Sequence, residues 1–164
     1  MDLSTRIALA AHGLLGVLDE EHEYMPTGGW EVAHDLGRWW DAMLRAEEAI
    51  GFAIPAELEA ASLRNLQLLT DNPDRLLMNR SDVPWLAERT RINMHNFRET
   101  LLAYGGLVRR RPNLWARRSA LELVRSIDHA LQPDGRLDFS RLGSWGQVPM
   151  TTDDMLNARA AYYG

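Results

Sequence analysis

The sequence predicts an all-α chain of three antiparallel helical hairpins whose long loops gather at one end. Three observations predict it. Apolar residues recur at helical spacing in six separate segments. Extended structure has little support: only Arg136-Leu137-Asp138-Phe139, after the Pro133-Asp134-Gly135 turn, could form a strand, and it is too short to define a sheet. Finally, the connections between the helical segments alternate between long and short.

Helix 1 is expected from about Leu3 to Leu18, with Leu3, Ile7, Ala10, Ala11, Leu14, Val17 and Leu18 on its inward face. Helix 2 is expected from about Val32 to Ile50, on a stripe of Leu36, Trp39, Trp40, Met43, Leu44 and Ile50, with Gly51 as its stop. Helix 3 opens with Pro55 at the first helical position. Glu57 and Glu59 favour the positive end of the helix dipole, and the Asp71-Asn72-Pro73-Asp74 turn ends it. Its buried side is expected to hold Leu58, Ala61, Leu66, Leu68 and Leu69. Helix 4 spans about Asn93 to Arg110, with Met94, Phe97, Leu101, Tyr104 and Val108 in line. Gly105-Gly106 would weaken an isolated helix, so close approach of a neighbouring helix is expected there. Helix 5 covers about Pro112 to Leu131, facing inward with Ala116, Ala120, Leu123, Val124, Ile127 and Leu131. Arg118, Glu122, Arg125 and His129 line its opposite side as a solvated stripe. Helix 6 starts near Asp153, capped by Thr151 or Thr152.

Length and composition fit one helical domain over 1–164, with an ordinary globular share of apolar and charged residues. A net charge of −5 gives no electrostatic case for nucleic acid or an anionic membrane as partner. There is no cysteine, which excludes disulfides, thiolate metal sites and a thiol nucleophile. All 18 basic residues are arginine, which excludes a Schiff-base lysine and a lysine-type phosphate loop. No signal peptide or membrane-spanning run is read from the sequence, so the expected compartment is the cytoplasm. No cofactor is expected, since Gly-rich phosphate loop, nucleophile-elbow and dinucleotide patterns are all missing.

The loops over roughly 19–31, 71–92 and 132–150 exceed the ~12–15 residues that connections in a compact domain normally reach. They carry Tyr24, Met25, Trp30, Trp85, Leu86, Phe139 and Trp145, unlike the composition of disordered segments. If neighbouring helices alternate in direction, all three loops lie at one end and feed the N-termini of helices 2, 4 and 6. Trp30, Glu31, His34, Asp35 and Arg38 then meet His95, Asn96, Glu99, Trp145 and Asp153. Indole faces, carboxylates, an arginine and amides suit a glycan or other small polar ligand.

The stretch Gly28-Gly29-Trp30-Glu31-Val32-Ala33-His34-Asp35-Leu36-Gly37-Arg38-Trp39-Trp40-Asp41-Ala42 resembles the second helix of six-hairpin glycosidase toroids, the (α/α)6 barrel. Leu15-Gly16-Val17-Leu18-Asp19, Gly51, Pro55 and the Leu131-Gln132-Pro133-Asp134-Gly135-Arg136 turn extend the likeness to the N-terminal half of large, mostly uncharacterised bacterial members. The resemblance implies alternating outer and inner helices and a sugar-binding funnel at the inner N-termini. A full toroid needs six hairpins and this chain supplies three, so the expectation is an incomplete, half toroid: a truncated product, or a half completed elsewhere by self-association or a complementing half.

Individual residues leave two readings each. His34, Arg38 and Asp41 lie within about 60° on helix 2, as a funnel-facing constellation or as a solvated face extended by Arg45 and Glu48. Trp39-Trp40 reads as core, whereas Trp30, Trp85 and Trp145 on loops are the sugar platforms. His95 and Glu99, at i and i+4, read as a local hydrogen bond more readily than as half of a metal site or an acid–base pair, and no metal site is expected. Glycoside hydrolysis needs two carboxyl groups across the sugar. Asp35 is the first candidate, with Glu99 or Asp153 as the second; helix capping competes for Asp153. Substrate contacts are assigned to Trp30, His34, Arg38, Trp85, His95, Asn96 and Trp145. Two other functions stay open: a helical scaffold that binds a glycan or protein without turnover, and a fragment with no activity of its own.

Overall fold

The computed structural model describes residues 2–25, 33–80, 92 and 94–144, with the backbone alone at Ala33 and His34. These residues form five α-helices: α1 (Leu3–Leu15), α2 (Arg38–Ile50), α3 (Ala56–Leu69), α4 (Met94–Arg110) and α5 (Leu114–Ala130). The expected sixth helix lies outside the described residues. Among those described there is no β-strand. The one segment that could have been extended contributes a single isolated bridge, Leu131 to Leu137, and a second bridge joins Asp19 to Met25. No described helix is long and apolar enough to cross a membrane.

The helix boundaries follow local chemistry. Asp2 caps α1 by accepting the Thr5 N–H at 2.8 Å. α1 ends at Leu15, earlier than the sequence pattern indicates, because the Gly16 N–H turns back to the carbonyls of Gly13 and Leu14. α2 begins only at Arg38. The turn before it, Ala33–Gly37, is π-helical, so the expected helix is widened over its first five residues. Gly51, at φ 70°, closes α2 in the left-handed conformation. Pro55 is the residue before α3, with Ala56 at the first helical position. Asn113 caps α5 by accepting the Ala116 N–H at 3.1 Å.

α2 packs most extensively on α4, α1 packs on α2, and α5 packs on α4. Cross-links fix the direction of the central pair. Arg38 at the start of α2 meets Glu99 near the start of α4, and Glu48 near the end of α2 meets Arg110 at the end of α4. The two helices therefore run parallel, with both N-termini at one end. Arg111, just past α4, grips Glu47 at 2.8 Å and Glu59 of α3 at 2.6 Å, which places the start of α3 at the opposite end.

Trp39 and Trp40 are core residues, as the sequence indicates, and meet edge to face at 5.3 Å. The Trp39 indole N–H donates to the Leu14 carbonyl at 3.0 Å and ties α1 to α2. Leu36, Met43, Leu44, Leu66, Leu107 and Leu123 complete the interior. Five expectations of burial are corrected: Leu3, Ala10 and Val17 on helix 1, Leu68 on helix 3 and Val124 on helix 5 are all exposed. For α1 and α5 the reason is their place at the edges of the array, where they pack on their inner sides only.

The glycine pair of α4 divides into two roles. A Cβ at Gly106 would meet Leu44 Cδ1 at 2.9 Å, so this residue gives the close approach expected of the pair. A Cβ at Gly105 would meet nothing within 4 Å. Gly37 is tighter still: its Cβ would lie 2.7 Å from the Glu99 carbonyl oxygen, so the π turn rests directly on the backbone of α4. Gly37→Ala is expected to lower stability by roughly 1–3 kcal/mol through forced separation of these elements. Gly105→Ala should raise it by about 0.5–1 kcal/mol through helix propensity. Urea unfolding of both variants beside the parent checks the opposite signs.

Candidate functional site

The shared N-terminal end of α2 and α4 collects five of the polar residues that carry charge or a titratable ring. The π turn supplies Asp35, the first turn of α2 supplies Arg38, and the first two turns of α4 supply His95, Arg98 and Glu99. The π turn rests on α4 because Gly37 has no side chain there, and Leu36 and Trp39 anchor it from the core side.

Glu99 is the centre of the cluster. Its residue exposure is 0%, so its carboxylate requires charge and hydrogen bonds from the protein. Both come to one oxygen. Oε1 accepts from Arg38 Nε at 2.8 Å and from Arg98 Nε at 3.1 Å, with Arg98 Nη2 on the same atom. The two arginine side chains are about half exposed, 52% and 46%, so their free guanidinium edges reach solvent. The other oxygen, Oε2, is buried and accepts no hydrogen bond from the described residues. Asp35 Oδ2 is in the same condition.

These surroundings set the protonation states. Burial pushes the Asp35 carboxyl above its ordinary value, against the pull of Arg38. Burial also pushes the His95 imidazole down, and the Arg98 charge adds to this, against Glu99. His95 is thus neutral at pH 7 and accepts from Arg98 Nη2 through Nδ1 at 3.1 Å, which puts its proton on Nε2. The 3.7 Å between His95 Nδ1 and Glu99 Oε1 is too long for the hydrogen bond expected from their spacing. Arg98 stands between them and bonds to both.

Asn96 sits one residue from His95 but faces inward. It is buried and donates to the Leu77 carbonyl at 2.6 Å, while Thr100 Oγ1 accepts the Leu77 N–H at 2.9 Å. Together they fasten the segment after α3 along α4. Asp41, considered with His34 and Arg38, chelates Arg45 one turn on, with both carboxylate oxygens 2.9 Å from Nε. That is the solvated-face arrangement. The His34 side chain, Trp30, Trp85, Trp145 and Asp153 lie outside the described residues.

Arg98 is the member that sequence reasoning passed over. Its place three residues after His95 and one before Glu99 was the available signal. Among the described residues no group of three or more His, Asp or Glu side chains could hold a metal ion. The cluster instead brings together a carboxyl group that holds its proton more firmly than usual, two guanidinium edges and two buried acceptor oxygens without a donor among the described residues. No protein-family model, no curated protein and no solved structure matches the chain.

Two outcomes are expected. Glu99→Gln removes the charge that both arginines hold and should cost about 3 kcal/mol in chemical denaturation. Arg38→Ala should cost about 1 kcal/mol, because Arg38 is half exposed and Arg98 still serves Glu99. Asp35 works in the opposite sense. A carboxyl whose folded pKa is raised contributes stability that is fully present below its ordinary value of 3.8 and is lost as the pH rises through the folded value. Asp35→Asn should therefore melt higher than the parent at pH 7, and the gain should fade as the pH falls through the carboxylate range.

Proposed function

We propose that the chain is a carbohydrate-active protein of the six-hairpin glycosidase type, which takes a polyhydroxylated ligand at the shared N-terminal end of α2 and α4. The observation that carries this reading is Asp35 Oδ2, a buried acceptor with no donor among the described residues, beside the half-exposed Arg38. Leaving such atoms without a partner is costly, and a ligand rich in hydroxyl donors is the chemistry that relieves it. The free edges of Arg38 and Arg98 supply the matching donors for sugar oxygens. The parallel course of α2 and α4 supports the reading as well, because adjacent inner helices of an (α/α) toroid run this way. Trp30, Trp85 and Trp145 are its stacking platforms on sequence grounds, and His34 is its further polar contact.

In this reading Asp35 is the acid. Its raised proton affinity suits a group that protonates a glycosidic oxygen. Asp153 is the remaining candidate for the second carboxyl. Glu99 anchors Arg38 and Arg98 rather than reacting, since its carboxylate is sealed and its Oε1 is taken. The same sealing favours a second reading, a glycan-binding module without turnover.

Tryptophan fluorescence titrated with a panel of oligosaccharides tests both. A saturable change is expected with at least one sugar. Arg38→Ala should weaken it by roughly tenfold or more, the worth of a charge-assisted hydrogen bond. Asp35→Asn should leave binding within a few fold and abolish release of reducing sugar. Release from the parent separates the enzyme from the binding module. A flat response across the panel would rule out both.

A further inference from the structure

At the N-terminal end of α2 and α4 the charge that solvent can reach is positive, and the charge that is sealed is negative. The Glu99 side chain is 1% exposed, whereas those of Arg38 and Arg98 are about half exposed. A ligand arriving from water therefore meets the guanidiniums before the carboxylate between them. One carboxylate does not cancel two cations. Arg38 and Arg98 share Glu99 as ion-pair partner, and among the described residues neither has a second one. The surplus is a local positive charge in a chain whose formal net charge is −5.

The hydrogen bonds show which donors remain. Arg38 uses Nε on Glu99 Oε1, and Arg98 uses Nε and Nη2 on the same oxygen. Arg98 Nη2 also meets His95 Nδ1. Both Nη groups of Arg38 and Nη1 of Arg98 are left without an acceptor among the described residues. Because one oxygen holds both side chains, their unused edges are gathered in one place. A guanidinium edge matches the paired oxygens of a carboxylate, sulfate or phosphate. The parallel course of α2 and α4 adds the positive ends of two helix dipoles at the same end. Asp35 opposes this less than an ordinary surface aspartate does, since burial favours its protonated form.

We propose that the ligand taken at this end is an acidic glycan, whose carboxylate or sulfate group lies across the outward edges of Arg38 and Arg98. The inference rests on the proposed function and narrows its ligand from any polyhydroxylated molecule to one that carries an oxyanion. Glu99 holds the two cations from behind, and the ligand's anion supplies the second negative charge in front. A neutral sugar leaves that surplus unmatched and is the weaker ligand.

Isothermal titration calorimetry on the full chain at low salt tests this with matched pairs of ligands. Oligouronates of gluco, galacto and manno configuration are each set beside their methyl esters, which keep the sugar and remove the charge. A sulfated oligosaccharide is set beside its desulfated form. At least one acidic member should bind roughly tenfold or more tighter than its neutral twin, the worth of a charge-assisted hydrogen bond. Added salt should shrink that advantage. The pair that shows it identifies the group as carboxylate or sulfate. Arg38→Ala and, separately, Arg98→Ala should remove most of the advantage while the neutral twin stays within a few fold, and Arg38→Lys should restore part of it. Circular dichroism confirms that each variant keeps its helices. Neutral twins that bind as well as the acids overturn this inference and leave the proposed function standing. No binding by any member, charged or neutral, overturns both. An acid preference that survives both alanine variants overturns the placement of the anion on these arginines.

Discussion

Burial of the Glu99 carboxylate is tolerable only because Arg38 and Arg98 reach it, and the arrangement of the N-terminal end follows from that demand. An ion of this size withdrawn from water loses several kcal/mol unless good partners replace its hydration. Arg38 is the partner from across the helix interface, so the start of α2 must stay beside the second turn of α4. Gly37 lets the backbones come close enough for this. The π turn before Arg38 then places Asp35 against the same neighbourhood. Loss of the central charge would leave two cations side by side with little reason to converge.

The opposite end is held by a parallel device built on the same chemistry. Arg110 reaches Glu48, and Arg111 spans Glu47 and Glu59, so three helices are tied where α4 runs out. The helix side by side pairing of α2 and α4 aligns their dipoles unfavourably, and packing of Trp40, Met43, Leu44, Tyr104 and Leu107 between and around them has to outweigh it. The structure thus reads as a greasy interior closed at both ends by ionic ties, one sealed and one open to water. The functional reading rests on the N-terminal end, where Asp35 Oδ2 is a buried acceptor with no donor among the described residues.

Much of the helical framework was legible from residue order. Period and caps located all five described helices within a few residues, and the long and short connections indicated that the N-termini of helices 2 and 4 would lie together. Pattern alone could not show the π turn, because Ala33–Gly37 carries an ordinary helical stripe and the widening comes from contact with α4. Nor could it show which charges pair over long range. Arg38 and Glu99 are separated by 61 positions, and nothing local distinguishes Arg38 from the solvated Arg45 two turns on along the same face. Asn96 was misleading for a related reason: its spacing beside His95 hid the fact that its side chain turns inward to Leu77. Edge position explains the overestimated burial on α1 and α5, since an amphipathic stripe does not say how many neighbours a helix will have.

Every cation in these ties is an arginine, for the chain contains no lysine. A guanidinium keeps its proton far into the alkaline range, where an ammonium would surrender it. The ties at both ends of α2 and α4 consequently outlast alkali on their cationic side, a tolerance that lysine in the same places would not confer.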